Sequence, residues 1–250
     1  MASIPPRRGL QALVTRPREE AETLAAALAA RGVGALIEPL LEVRFCPAAP
    51  IDLTGVQAIL CTSGNGVRAL ARIPAERQVP LFAVGDSTAA RARTEGFATV
   101  ASASGNMDDL VHLIAERLQP GAGKLLHICG TAVAGGLVGR LRALGFTAEQ
   151  YALYDARPVA SLSDPAAAAL RRGDIDFALF FSPRTAAIFV GLAGDAGLGQ
   201  SCAAIVALSI SAAVDNAVAA FSWRERVVAV RPSQAALLDA LDTRLALMPG

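Results

Sequence analysis

Lysine is almost absent from this chain. Lys124 is the only one, so imine or pyridoxal-phosphate chemistry would rest on that residue alone. Histidine is nearly as scarce, with only His112 and His127. That excludes a histidine-rich metal centre and leaves any serine nucleophile just two imidazoles to use as a base. The four cysteines, Cys46, Cys61, Cys129 and Cys202, contain no C-x-x-C pair. A zinc ribbon or dithiol redox centre is thereby removed, and the expectation is buried free thiols with no metal site.

An excess of either charge is missing too. Lys plus Arg total 23 and Asp plus Glu total 22, a formal charge of +1. No nucleic-acid partner held by bulk positive charge is expected. With 53% apolar and 18% charged residues, a disordered chain is excluded. The longest uncharged run, Ala196 to Val214, is broken by Gly197, Gly199, Gln200, Ser201 and Ser209. Its apolar part falls short of the ~18 residues that a membrane-spanning helix needs, so no membrane partner is expected. Met1–Arg8 has no apolar core of the kind a secretory signal carries, and a cytoplasmic protein is expected. A length of 250 residues suits one or two domains.

What the chain does have is regular alternation. Gln11–Thr15 reads as a buried strand, and Pro17 with Glu19 and Glu20 opens a helix. Ala21, Leu24, Ala25 and Leu28 share one face of that helix, Gly32 and Gly34 end it, and Ala35–Ile37 is the next strand. Val56–Thr62, Leu81–Val84 and Thr99–Ala101 continue as strands between helical stretches. The second half then echoes the first. Lys124–Ile128 resembles Gln11–Thr15, Phe177–Arg184 resembles Ala58–Asn65, Ile205–Ser211 resembles Leu81–Thr88, and Ser233–Leu245 resembles Asn106–Leu118. The pattern predicts an α/β protein with parallel sheets and an internal duplication. Arg157-Pro158 with Ser161-Leu162-Ser163-Asp164-Pro165 reads as a linker or crossing.

Parallel α/β sheets bind ligands beyond the carboxyl ends of their strands. Here those ends carry Thr15-Arg16, Ser63-Gly64-Asn65, Gly85-Asp86-Ser87-Thr88, Gly130-Thr131, Ser182-Pro183-Arg184 and Ser209-Ile210-Ser211. Most open a helix, whose unpaired N–H groups favour anions, and each also serves as an ordinary helix cap. Together they predict a ligand cleft. No G-x-G-x-x-G follows the first strand, so a nicotinamide cofactor is not expected. Gly121-Ala122-Gly123-Lys124 lacks the spacing and the Ser or Thr of a phosphate loop. Gly85-Asp86-Ser87 resembles a hydrolase nucleophile turn, but His112 and His127 sit within a helix and a strand and read as structural. Tyr154, beside the Arg157-Pro158 crossing, would project a phenol into a cleft or pack in a core.

These segments, in this order, resemble the uroporphyrinogen-III synthase family. Leu13-Val14-Thr15-Arg16-Pro17 with Ile37-Glu38-Pro39-Leu40 is similar to the family's opening. Thr62-Ser63-Gly64-Asn65-Gly66-Val67 is similar to its TSxNAV segment, and Ala83-Val84-Gly85-Asp86-Ser87-Thr88-Ala89 to its AVGxxTA segment. Tyr154 and Phe181-Ser182-Pro183 also fall in family order. Gly64 stands where the family often has Pro, and Ser209-Ile210-Ser211-Ala212 replaces a turn usually richer in threonine.

The resemblance implies two flavodoxin-like α/β domains with parallel sheets, joined by a two-stranded linker. One would combine residues 1–39 and 158–250, the other would span 41–156, with crossings at about 39–43 and 154–158. It implies cyclisation and dehydration of hydroxymethylbilane to uroporphyrinogen III, with inversion of the last pyrrole ring and no cofactor. Tyr154 and Thr88 would be catalytic. Thr15, Arg16, Ser63, Gly64, Asn65, Gly85, Ser87, Gly130, Ser182, Arg184 and Ser211 would hold the substrate. A monomer would suffice. The competing readings are a non-catalytic two-domain protein that binds a small anion, and a serine hydrolase using Ser87.

Overall fold

The computed structural model describes residues 9–46, 51–73, 77–132 and 136–247. The Met1–Arg8 opening, read above for a signal, lies outside them. The first strand, β1 (Leu10–Val14), is followed by α1 (Arg18–Ala29), whose face Ala21, Leu24 and Leu28 is fully buried. Gly32, at φ +74°, supplies the left-handed turn that stops the helix. Gly34, expected to share that duty, instead sits inside β2 (Val33–Ile37). A Cβ there would stand 2.5 Å from the Gln11 side chain, so the glycine serves close approach between strands.

The chain continues through β3 (Leu41–Phe45), β4 (Val56–Cys61), α2 (Gly64–Ala71), β5 (Leu81–Ala83), α3 (Asp86–Thr94), β6 (Val100–Ser102) and α4 (Met107–Arg117). Then come β7 (Lys124–Gly130), α5 (Leu137–Ala143), the long β8 (Ala148–Pro158) and α6 (Asp164–Arg172). The end of the chain forms β9 (Phe177–Phe180), α7 (Pro183–Asp195), a 3-10 turn Gly199–Ala204, β10 (Val206–Ser209), α8 (Ala212–Val218), β11 (Glu225–Val228) and α9 (Gln234–Leu245). The Ser161–Pro165 stretch, expected to be a linker, is largely a helix start. The Ser163 hydroxyl caps α6 by accepting from the Ala166 N–H at 3.3 Å, and Pro165 occupies the first turn, where its missing N–H costs nothing.

Two compact units result, Met1–Glu42 with Arg157–Gly250, and Val43–Ala156. The first holds a sheet in the order β11-β10-β9-β1-β2, parallel at every pairing. Counted along that unit's own chain this is the flavodoxin order 2-1-3-4-5. The second holds β3-β8-β7-β4-β5-β6, with β8, β7, β4, β5 and β6 paired in parallel. The sequence repeat explains both orders. If β1 matches β7, β2 matches β8, and β9, β10 and β11 match β4, β5 and β6, the two five-strand arrangements are identical. Each five-strand arrangement therefore takes three strands from one copy of the repeat and two from the other, with β3 added at the edge of the second sheet.

Both faces of each sheet are buried, which is why the strands read as continuous apolar runs. In β9, Phe177 and Leu179 join one core and Ala178 and Phe180 the other, and all four side chains are fully buried. In the second unit, Ile59 and Cys61 of β4 face one core and Ala58 and Leu60 the other.

Beside the crossing, β3 and β8 run in opposite directions. The Val159 N–H donates to Leu40 O at 3.1 Å and the Cys46 N–H to Leu153 O at 2.9 Å. Glu38, 5% exposed, accepts from the Ser163 N–H at 2.7 Å and from its hydroxyl at 2.5 Å, tying the end of β2 to the start of α6. Among the described residues, no helix is long and apolar enough to cross a membrane.

Candidate active site at the strand ends

A doubly wound sheet opens a crevice where its strand order reverses. In the Val43–Ala156 unit that point lies between β4 and β7, registered so that Cys61 stands opposite Ile128. Past these residues the chain turns outward, and the predicted residues of this unit gather there. Ser63 caps α2, its hydroxyl accepting from the Asn65 N–H at 3.1 Å. Asn65, nearly buried, accepts from Arg68 through Oδ1. Gly64 opens the helix. Behind it, a Cβ at Gly66 would meet Ile128 O at 3.1 Å, so the start of α2 is pressed close to the end of β7.

Gly130 closes β7 and is paired with Tyr154 of β8. A Cβ on Gly130 would stand 3.0 Å from the ring carbon Cε2. Tyr154 is 8% exposed and belongs to the buried cluster that also holds Cys61 and Ile128. Its carbonyl accepts from the Thr131 N–H at 2.8 Å, and the Thr131 hydroxyl donates to Asp155 at 2.8 Å. The phenol is thus carried on a rigid strand, which suits precise positioning.

On the other side of β4, β5 leads to Gly85, the extended N-cap of α3. Thr88 is buried in the first turn of that helix, whereas Ser87 is exposed. Between them and Gly85 lies Asp86, whose carboxylate accepts from the Ser102 and Ser104 hydroxyls at 2.7 Å each. Those two bonds, Ser102 first, hold its pKa below the usual carboxylate value. Asp86 therefore stays an anion at the start of α3, where the helix dipole already welcomes it.

In the other unit the order reverses between β1 and β9. Thr15, 1% exposed, donates to Leu179 O at 3.2 Å and fastens these two strands together. Arg16 pairs with Glu20, donates to Gln234 at 3.0 Å and lies 4.4 Å over the Phe181 ring. Its charge is answered within its own unit. Ser182 caps α7, accepting from the Thr185 N–H at 3.1 Å, with Arg184 exposed one position past Pro183. Ser211 is the extended N-cap of α8 and makes no side-chain capping bond. The predicted residues thus form one group in each unit, each at the carboxyl ends of its strands.

Sequence reasoning missed Thr62 and treated His127 as core filling. His127 is 2% exposed on β7, and its Nε2 lies 3.3 Å from the Thr62 Oγ1. Burial lowers its pKa to about 4, so the ring is neutral near pH 7. His112 sits on the exposed side of α4, 3.2 Å from Glu116. Neither imidazole is a base for Ser87. Burial pushes the thiols of Cys61 and Cys202 up to about 12 and raises that of Cys129, which makes them poor nucleophiles. Among the described residues no three His, Cys, Asp or Glu side chains gather to hold a metal ion. The chemistry on offer is that of hydroxyls, main-chain N–H groups and one positioned phenol.

Comparison with known proteins bears on this arrangement. The family model described as uroporphyrinogen-III synthase HemD matches residues 22–239. A mutant uroporphyrinogen III synthase from the extremely thermophilic bacterium Thermus thermophilus superposes with a TM-score of 0.56 at 18% identity, covering 96% of this chain and 100% of its own. The uroporphyrinogen-III synthetase of Helicobacter pylori gives a TM-score of 0.61 at 17% identity, covering 94% and 99%. At such identities the structures speak for a shared fold. No curated protein sequence matches the chain closely enough to add to this.

Proposed function

This chain belongs to the uroporphyrinogen-III synthase family, and on that premise we propose that it closes hydroxymethylbilane into uroporphyrinogen III by way of the strand-end groups, with Tyr154 assisting departure of the hydroxyl. Loss of that hydroxyl as water leaves an electrophilic azafulvenium cation, which the electron-rich pyrrole at the far end of the substrate attacks. In free solution the ring closes without inversion and gives the type I isomer. The protein must therefore fold the substrate so that the substituted carbon of the last ring meets the cation. Holding reacting atoms in such a geometry is worth several kcal/mol, about 7–11 in the best intramolecular cases.

Every pyrrole ring of the substrate carries an acetate and a propionate. A chain of net charge +1 does not attract it by bulk charge. Main-chain N–H groups and hydroxyls at Ser63, Gly64, Asn65, Gly85 and Thr88, and at Ser182, Arg184 and Ser211, supply local donors instead. Thr15 and Arg16 act by fixing the turn after β1, since their side chains are already bonded within the unit. Asp86 disfavours a carboxylate beside Ser87, which leaves the Ser63 turn as the stronger anion site.

The observation that carries this reading is the Tyr154 ring held against Gly130 beside the β4–β7 reversal, in a chain whose family performs this cyclisation. The protein works as a cytoplasmic monomer with no cofactor. The test is conversion of enzymatically generated hydroxymethylbilane, read as the ratio of type III to type I product. Type III must dominate; a ratio equal to that of a protein-free control rejects the proposal. A hydrolase reading has no support from the two histidines, one bonded to Thr62 and the other paired with Glu116.

A further inference from the structure

Thr62 was no part of the expected site, yet it follows β4 directly, beside the Ser63 cap. Among the described residues His127 is the one hydrogen-bond partner of its hydroxyl, at 3.3 Å. The other ring nitrogen, Nδ1, is buried without a partner. A neutral imidazole carries a single N–H. Placed on Nδ1, that hydrogen would be an orphan donor in a closed interior, an arrangement native proteins rarely tolerate. Placed on Nε2, it is given to the Thr62 Oγ1. The threonine oxygen then accepts, and its own hydrogen must turn away from His127.

We propose that Thr62 is a donor to a substrate carboxylate and that His127 is its positioning residue, forcing the hydroxyl to donate outward at the strand end. This rests on the cyclase reading of the site. Thr62 is half-buried just past the end of β4, on the sheet face of Leu60 and His127, so a hydrogen turned away from His127 is directed past the strand end. A hydroxyl free to rotate would satisfy either role. One that is locked as a donor favours an anion and disfavours a neutral or donating group. The low pKa of His127 keeps the device in its neutral form.

Two measurements test it. In protein labelled with ¹⁵N-histidine, a long-range ¹H–¹⁵N spectrum near pH 7 separates buried His127 from exposed His112 and reads the tautomer directly. The Nε2–H form is expected; an Nδ1–H form overturns the proposal without any variant being made. In the isomer-resolved assay, Thr62→Val should raise KM about tenfold with kcat within about twofold, and Thr62→Ser should recover most of the loss. His127→Gln, whose amide reaches the Nε2 position, should keep KM within about threefold, whereas His127→Phe should match Thr62→Val and add nothing to it in the double variant. An unchanged KM in Thr62→Val sinks the inference while the wild type still forms type III product. A wild type that forms none sinks the underlying cyclase reading instead.

Discussion

Gly130 brings the end of β7 close to the ring of Tyr154: a Cβ there would stand 3.0 Å from Cε2 and 3.3 Å from Cζ, tighter than an ordinary contact. Gly130→Ala must therefore shift either the ring or the end of β7. Activity should fall about tenfold, since sub-ångström displacement of a reacting group is costly. The fold should survive, as judged by an unchanged far-ultraviolet circular dichroism spectrum.

Tyr154→Phe isolates the hydroxyl. It keeps the ring in its buried cluster and removes the proton donor. A drop in kcat of about 10²-fold is expected, with little change in KM and with type III still the main product. Turnover equal to the wild type would take Tyr154 out of the chemistry.

Asp86 adds negative charge near the turn through which an acidic substrate would pass. Asp86→Asn should lower KM by about two- to threefold at low salt, and the gain should fade as salt is added. A KM that rises would mean that the carboxylate organises the α3 turn through Ser102 and Ser104 more than it repels the substrate.

Burial of His127 gives a pH dependence with a definite sign. Its folded pKa of about 4 lies below the ordinary 6.5, so between those values the unfolded chain binds a proton that the folded chain refuses. The folded state loses ground as pH falls through that window and levels off below it. The contribution is about 3 kcal/mol in total. Urea midpoints followed by circular dichroism should show the wild type losing stability relative to His127→Gln from pH 6.5 to 4 and matching its slope above pH 7.

Ser163 holds both oxygens of a buried Glu38 and caps α6 as well. Ser163→Ala should cost about 1–3 kcal/mol. Trp223, packed on Phe180 and Phe189 in the same unit and the sole tryptophan, reports the loss by fluorescence.

Much of this was legible from residue order alone. Apolar runs ending in Ser, Thr or Gly marked the strand ends, and the echo between Lys124–Ile128 and Gln11–Thr15 pointed to strands that do hold equivalent places, β7 and β1. What escaped depends on pairing. Gly34 looked like a helix stop because nothing local reveals that Gln11 lies across it. Ser163 looked like linker because Asp164-Pro165 follows it, a pair that marks a break unless the proline falls in the first turn of a helix, as it does here. The Thr62–His127 contact joins residues far apart in the chain, and only the register of β4 on β7 brings them together.

The shared strands of the two sheets also bear on origins. A half-length polypeptide with this pattern would be left with two strands lacking their three partners and three lacking their two. It would find both by trading segments with a twin, and two twins joined end to end would give the present connectivity. By the same logic, neither half of the modern protein is expected to stand alone, yet the halves mixed together should rebuild both sheets.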